Sequence, residues 1–220
     1  EMAGGGPNTT LINSLPAMNL SVDDFRIGDR ELGRLELRAR NDKGAWHLET
    51  LNLRNPDGAL SSKAVWRNDG AGRHQTRLDF ELTASDVGKL LNRLGYVDAI
   101  RRGTAKLAGN MQWNGPLTGI DYPSLTGEMT VSAENGQFNK LEPGVGRLLG
   151  LLSLQSLSRR LTLDFRDIFS EGLAFDSIEG STVVTSGVMR TVEPLRINSP
   201  AAQIQIQGEA NLKNETQNLQ

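Results

Sequence analysis

Apolar side chains recur at every second position through much of the chain, the period that places them on one face of a β-strand. Leu78, Phe80 and Leu82 alternate with Arg77, Asp79 and Glu81, and Leu35 and Leu37 alternate with Arg34, Glu36 and Arg38. Trp46 and Leu48 lead toward Leu51 and Leu53. Further strands are marked by Leu107, Met111 and Trp113, by Met129, Val131 and Ala133, by Val184 and Val188, and by Ile204 and Ile206. Turn signals fall between them at Asn41-Asp42-Lys43-Gly44, Asn55-Pro56-Asp57-Gly58, Asn68-Asp69-Gly70 and Glu134-Asn135-Gly136. Short strands joined by such turns predict an antiparallel meander with one apolar face and one wet face.

Two stretches switch to helical spacing. One covers 85–94, with Ser85 as N-cap, Asp86 favourable to the helix dipole, Gly95 as the stop, and Val87, Leu90, Leu91 and Leu94 as its apolar stripe. The other covers 144–161, apolar nearly all round through Leu154, with Arg159 and Arg160 suited to its last turn. It is expected to plug the apolar sheet face or to lie against lipid as an interfacial helix, as one helix or two. An internal repeat also emerges. Leu51-x-Leu53-x-Asn55-Pro56-x-x-x-Leu60 aligns with Leu195-x-Ile197-x-Ser199-Pro200-x-x-x-Ile204, each position displaced by the same interval.

Composition narrows the possibilities. Among 220 residues there are only 3 Trp, 2 Tyr and 6 Phe, so few rings are available to fill the space between two packed sheets. Leu, Val, Ile, Ala and Met must fill it, or something outside the chain must. A formal net charge of −2 gives no pull toward nucleic acid. The absence of cysteine excludes disulfides, zinc ribbons and a thiol nucleophile. No run of about 18 apolar residues occurs, so no membrane-spanning helix is expected. Residues 1–14 read as a linker or disordered start, and 15–220 as one elongated β segment with sub-blocks 15–114 and 124–220. The polar end suggests a piece of a longer protein.

Catalytic chemistry has no foothold. His47 and His74 are expected to be solvent-facing strand residues, without metal-ligand partners in sequence. Asp23-Asp24 and Asp164 with Asp167 are carboxylate pairs with no cation marked nearby, which leaves a glycan-acting enzyme remote. Nucleophile elbows, phosphate-cradling loops and dinucleotide fingerprints are missing. The doublets Arg101-Arg102 and Arg159-Arg160 lack interleaved aromatics, so a nucleic-acid platform is not expected; Arg159-Arg160 could touch acidic headgroups. No cofactor or metal is expected.

The run Gly144-Val145-Gly146-Arg147-Leu148-Leu149-Gly150-Leu151-Leu152-Ser153-Leu154, on through Leu161 and then Asp164 to Asp176, resembles the C-terminal region of the YhdP family of AsmA-like proteins. So does the block from Leu78 through Trp113 with its Gly109-x-x-x-Trp113-x-Gly115 ending. The resemblance extends from about Leu15 onward and is most specific in the helix-plus-strand run. It implies a segment of a periplasmic bridge in Gram-negative bacteria, whose parent is anchored in the inner membrane. It implies a twisted, taco-like β-groove that moves phospholipid toward the outer membrane and so affects its permeability barrier. It brings no catalytic residues.

On that footing the chain is expected to be mainly β and antiparallel, and non-enzymatic. Its acyl-chain contacts are expected at Leu78, Phe80, Leu82, Met129, Val131, Ile204 and Ile206, and at Leu148, Leu149, Leu151, Leu152 and Leu154. The expected partners are phospholipid acyl chains and an outer membrane or periplasmic protein. The competing expectation is a non-catalytic β module that docks a protein partner by edge pairing in outer-membrane assembly.

Overall fold

The computed structural model describes residues 12, 14–42, 44–68, 73–139, 172–214 and 216–219. Among them, one antiparallel sheet of 12 strands follows chain order almost without exception: β1 (Met18–Ile27), β2 (Arg30–Asp42), β3 (Ala45–Asn55), β4 (Gly58–Asn68), β5 (His74–Ala84), β6 (Ile100–Asn114), β7 (Thr126–Phe138), β8 (Ala174–Thr185), β9 (Val188–Asn198), β11 (Gly208–Asn211) and β12 (Thr216–Leu219). Strand β10 (Gln203–Ile206) lies beside β11, pairing with the other half of β9. The sheet is not closed: β1 pairs with β2, and β12 pairs with β11. The two sub-blocks expected from the sequence are continuous through the β6–β7 ladder.

The pattern of alternation is explained by bulges. Trp46 and Leu48 are out of phase with Leu51 and Leu53, yet all four pair with apolar-face residues of β2 or β4, because the β3 register shifts between Leu48 and Leu51. One extra residue in β3 flips the phase of the strand and keeps both halves facing inward. Two expectations fail for the same kind of local reason. Val184 and Val188 do not share a strand; they flank the Ser186-Gly187 hairpin turn, where both residues have positive φ, 47° and 77°. That is the backbone a two-residue hairpin of matching twist demands. Conversely, Glu134-Asn135-Gly136 is not a turn. It lies inside β7, where Asn135 takes φ 56° but the register with β6 and β8 is the same on either side. Gly136 is needed there because the Phe175 ring of β8 occupies the space a Cβ would fill.

The internal repeat is real in three dimensions. Leu53 pairs with Leu60 and Ile197 pairs with Ile204, in equivalent registers. Asn55 Oδ1 accepts from the Asp57 N–H at 3.0 Å, and Ser199 Oγ accepts from the Ala201 N–H at 3.1 Å. The same side-chain turn closes both hairpins.

The helix α1 spans Val87–Arg93 and is capped by Asp86 rather than Ser85: the Asp86 carboxylate accepts the Lys89 N–H at 3.0 Å. Ser85 instead donates its hydroxyl to the Pro56 carbonyl. At the other end the Gly95 and Tyr96 N–H groups donate to the Asn92 and Leu91 carbonyls, and Gly95 holds φ 90°, the left-handed stop foreseen there. The Lys89 N–H, its largest influence, and the Lys89 ammonium hold the Asp86 carboxyl below the ordinary aspartate range. Its contribution to stability is therefore present above the unfolded-state value and is lost as pH falls through the lower folded value. Asp86→Ala is expected to lower stability by about 1 kcal/mol near neutral pH. The gap from the unsubstituted chain should shrink in acid; thermal melts at pH 7 and pH 3 check both points. The second helical segment, 144–161, lies outside the described residues.

Candidate functional site

The cross-strand pairs sort the side chains onto two faces. One is polar, carrying surface ion pairs such as Arg40–Glu49 at 2.8 Å, Lys106–Glu81 at 2.9 Å and Arg190–Glu209 at 3.0 Å. Such exposed pairs contribute little to stability but keep this face wet. The other face is mainly apolar from β1 to β7. One row runs Val22, Leu35, Leu53, Leu60, Leu82, Leu107, Val131 across seven successive strands. The next runs Leu20, Leu37, Leu51, Ser62, Phe80, Gly109, Met129. At about 4.8 Å per strand, β1 to β9 span roughly 40 Å.

Burial divides this face into a middle band and two margins. At one margin Trp46, Trp66, Thr76 and Trp113 form a single cross-strand row, exposed by only 6, 2, 0 and 2%. Trp46 Nε1 donates to the Pro16 carbonyl and Trp113 Nε1 to the Pro116 carbonyl, so segments outside the strands fold over this row. Ile12, assigned from sequence to the linker start, is fully buried in the same cluster. Leu125, Val184 and Leu212 continue the margin. At the opposite ends of the strands, Leu90 of α1 packs over Gly58 next to Ala84, and Leu173, Phe175, Ile178 and Ile197 form a third buried cluster. Between the margins Leu37, Leu51, Leu53, Leu60, Phe80, Leu82, Leu107, Met129 and Val131 are half-buried, Leu35 and Ser62 are buried, and Leu20 is 46% exposed. Leu78 and Leu117 pack against both the Trp46–Trp66 cluster and the Trp113 cluster, so this margin is continuous. The described strands make one open antiparallel sheet.

Of the residues expected to contact acyl chains, Leu78, Phe80, Leu82, Met129 and Val131 share this face through direct pairing, and all five are half-buried. Ile204 and Ile206 join it through Ile197 and Leu195 of β9, and are also half-buried. Leu148, Leu149, Leu151, Leu152 and Leu154 lie outside the described residues. The alternation did not distinguish the floor from the Trp margin, although Trp at the ends of three strands is a usable signal.

Of the other candidate groups, Asp164, Asp167, Arg159 and Arg160 lie outside the described residues. Asp23 and Asp24 do have cations beside them: Arg34 at 3.6 Å and Arg26 at 2.9 Å. His47 is half-buried on the polar face, but His74 corrects the expectation of solvent exposure. It is 7% exposed and lies 5.8 Å from the Trp66 ring, because its phase in β5 is that of Thr76 and Leu78. Among the described residues no cluster of three or more potential metal ligands occurs, and no helix is long and apolar enough to cross a membrane.

Comparison with known proteins now bears on this geometry. The family model described as YhdP protein matches residues 3–220. The chain belongs to the YhdP family. A curated relative, the "Intermembrane phospholipid transporter YhdP" of Escherichia coli (strain K12), is 29% identical over 162 residues, which is 73% of this chain and 13% of the relative. This YhdP-family chain thus spans about an eighth of that relative's length. No solved structure matches it.

Proposed function

We propose that this chain is a non-catalytic segment of a phospholipid conduit, in which acyl chains lie along the half-exposed floor of the sheet and travel across its strands. The observation that carries the reading is the apolar face itself: continuous over seven strands, buried at both margins, and partly exposed between them except at Leu35 and Ser62, which are buried. A folding core would be buried throughout, and a wet sheet face of this extent would be an aggregation liability. Fatty tails resolve the conflict. Each methylene taken from water contributes about 0.8 kcal/mol, so one ordinary acyl chain gains on the order of 10 kcal/mol with no polar recognition at all.

The floor residues in this reading are Leu78, Phe80, Leu82, Met129, Val131, Ile204 and Ile206. Membership of a family with a relative named an intermembrane phospholipid transporter supports phospholipid as the cargo and the periplasm as the place, with the parent protein bridging the inner and outer membranes. Native mass spectrometry of the chain purified in a volatile buffer without detergent tests the proposal. Adducts of phospholipid mass, removed by collisional activation, are expected. A lipid-free chain after expression in a lipid-replete Gram-negative host, recovered with a specific protein partner, would instead favour docking by edge pairing.

A further inference from the structure

The charged groups at the helix margin do more than decorate it. Arg93, the last residue of α1, reaches back over the β3–β4 turn and places Nε and Nη2 at 3.1 and 2.8 Å from one oxygen of Asp57. Its Nη1 donates to the Glu31 carbonyl at the start of β2, 3.1 Å away. Both side chains are largely removed from water, 23 and 11% exposed. Desolvating two charges is costly, and such pairs are often replaceable by apolar residues without loss. This one does something an apolar pair could not: it ties three non-adjacent pieces of backbone to one guanidinium.

The remaining contacts of α1 show what is tied. Gly88 lies directly on the β6 backbone, its missing Cβ within 2.6 Å of the Ile100 carbonyl oxygen. Leu90 covers Gly58 on the apolar face, the Asp57 carbonyl accepts from the Ser85 and Asp86 N–H groups, and the Arg30 guanidinium lies against Gly95. One short helix therefore touches β2, the β3–β4 turn and β6, strands that are four places apart in the sheet. The repeated hairpin supplies the comparison. In the equivalent turn Ala201 stands where Asp57 stands, and it is exposed.

We propose that Asp57 and Arg93 are a positioning pair that holds α1 as a wall of the lipid trough, so that breaking the pair releases this margin and lets cargo escape sideways. The inference rests on the conduit reading. Its test uses Asp57→Asn with Arg93→Met, which removes both charges together and leaves neither buried alone, and Arg93→Met alone as the harsher variant. The sequence contains no cysteine, so Lys89→Cys on α1 and Arg38→Cys on the polar face of β2 can carry a nitroxide pair. The labelled chain with Asp57 and Arg93 intact is expected to show a single narrow distance distribution. The double variant should broaden it and release a fluorescent phospholipid to acceptor vesicles at least fivefold faster, with circular dichroism unchanged. An unchanged distribution overturns the locking role. A broadened distribution with unchanged release overturns the wall. If the unsubstituted chain takes up no phospholipid, the conduit reading and the wall fall together, while the distance distribution still decides whether the pair holds the helix.

Discussion

Aspartate at both Leu82 and Val131 is expected to strip bound phospholipid from the chain while leaving most of its fold intact. The two positions lie in one row, separated by Leu107, and both are half-buried. Because water already reaches them, an ionised carboxylate there does not meet the full penalty of burial in a dry core. The expected cost to folding is roughly 1–3 kcal/mol in total. An acyl chain laid along the row would lose several methylene contacts and meet two charges without partners, so lipid occupancy should fall by more than tenfold. Thr83→Asp with Ser132→Asp places the same charges on the same strands but on the polar face, and should change neither quantity. Phospholipid adducts by native mass spectrometry and Tm by calorimetry provide the comparison. Parallel collapse of fold and occupancy in the first variant would mean that the floor is sealed core.

The largest stability effect is expected at the Trp margin. Trp113 is 2% exposed, packed with Met111, Leu125 and Val184, and its Nε1 is held by the Pro116 carbonyl at 3.0 Å. Trp113→Ala removes the ring, opens a cavity and leaves that carbonyl unpaired; a loss of about 3–5 kcal/mol follows, a fall in Tm on the order of 10 °C. Phe80→Ala provides the contrast. Its ring lies over Gly109, 3.2 Å from where a Cβ would stand, but is half-buried on the floor. Its loss should be no more than about half that of Trp113, because part of the ring already faces away from protein. Denaturant unfolding of the two variants separates margin from floor. Equal losses would contradict the division.

These two expectations depend on different kinds of information. The strands could be read directly from the chain: Leu78, Phe80 and Leu82 against Arg77, Asp79 and Glu81 leave little choice of element or face. The repeated hairpin was equally visible, because its turn chemistry depends on near neighbours, Asn55 on Asp57 and Ser199 on Ala201. Local signals misled where two local solutions compete. Asn135-Gly136 carries a turn signature yet stays in β7, because Phe175 from the next strand needs the space above Gly136. Ser186-Gly187 is a tight hairpin hidden inside continuous alternation. His74 was misplaced because a histidine in a strand takes its environment from phase, and the phase of β5 is set by its neighbours in the sheet.

Period-two alternation, turn residues and the scarcity of rings determined that this chain forms an antiparallel sheet with one oily face, since each depends only on residues a few positions apart. Where that face is covered was decided by tertiary structure alone. Trp46, Trp66 and Trp113 become a margin when four strands align their ends, and Arg93 meets Asp57 across 36 residues of chain. Leu82 and Trp113 follow the same rule of alternation along the chain. Only the segments folded over the sheet margin bury Trp113 and leave Leu82 partly exposed.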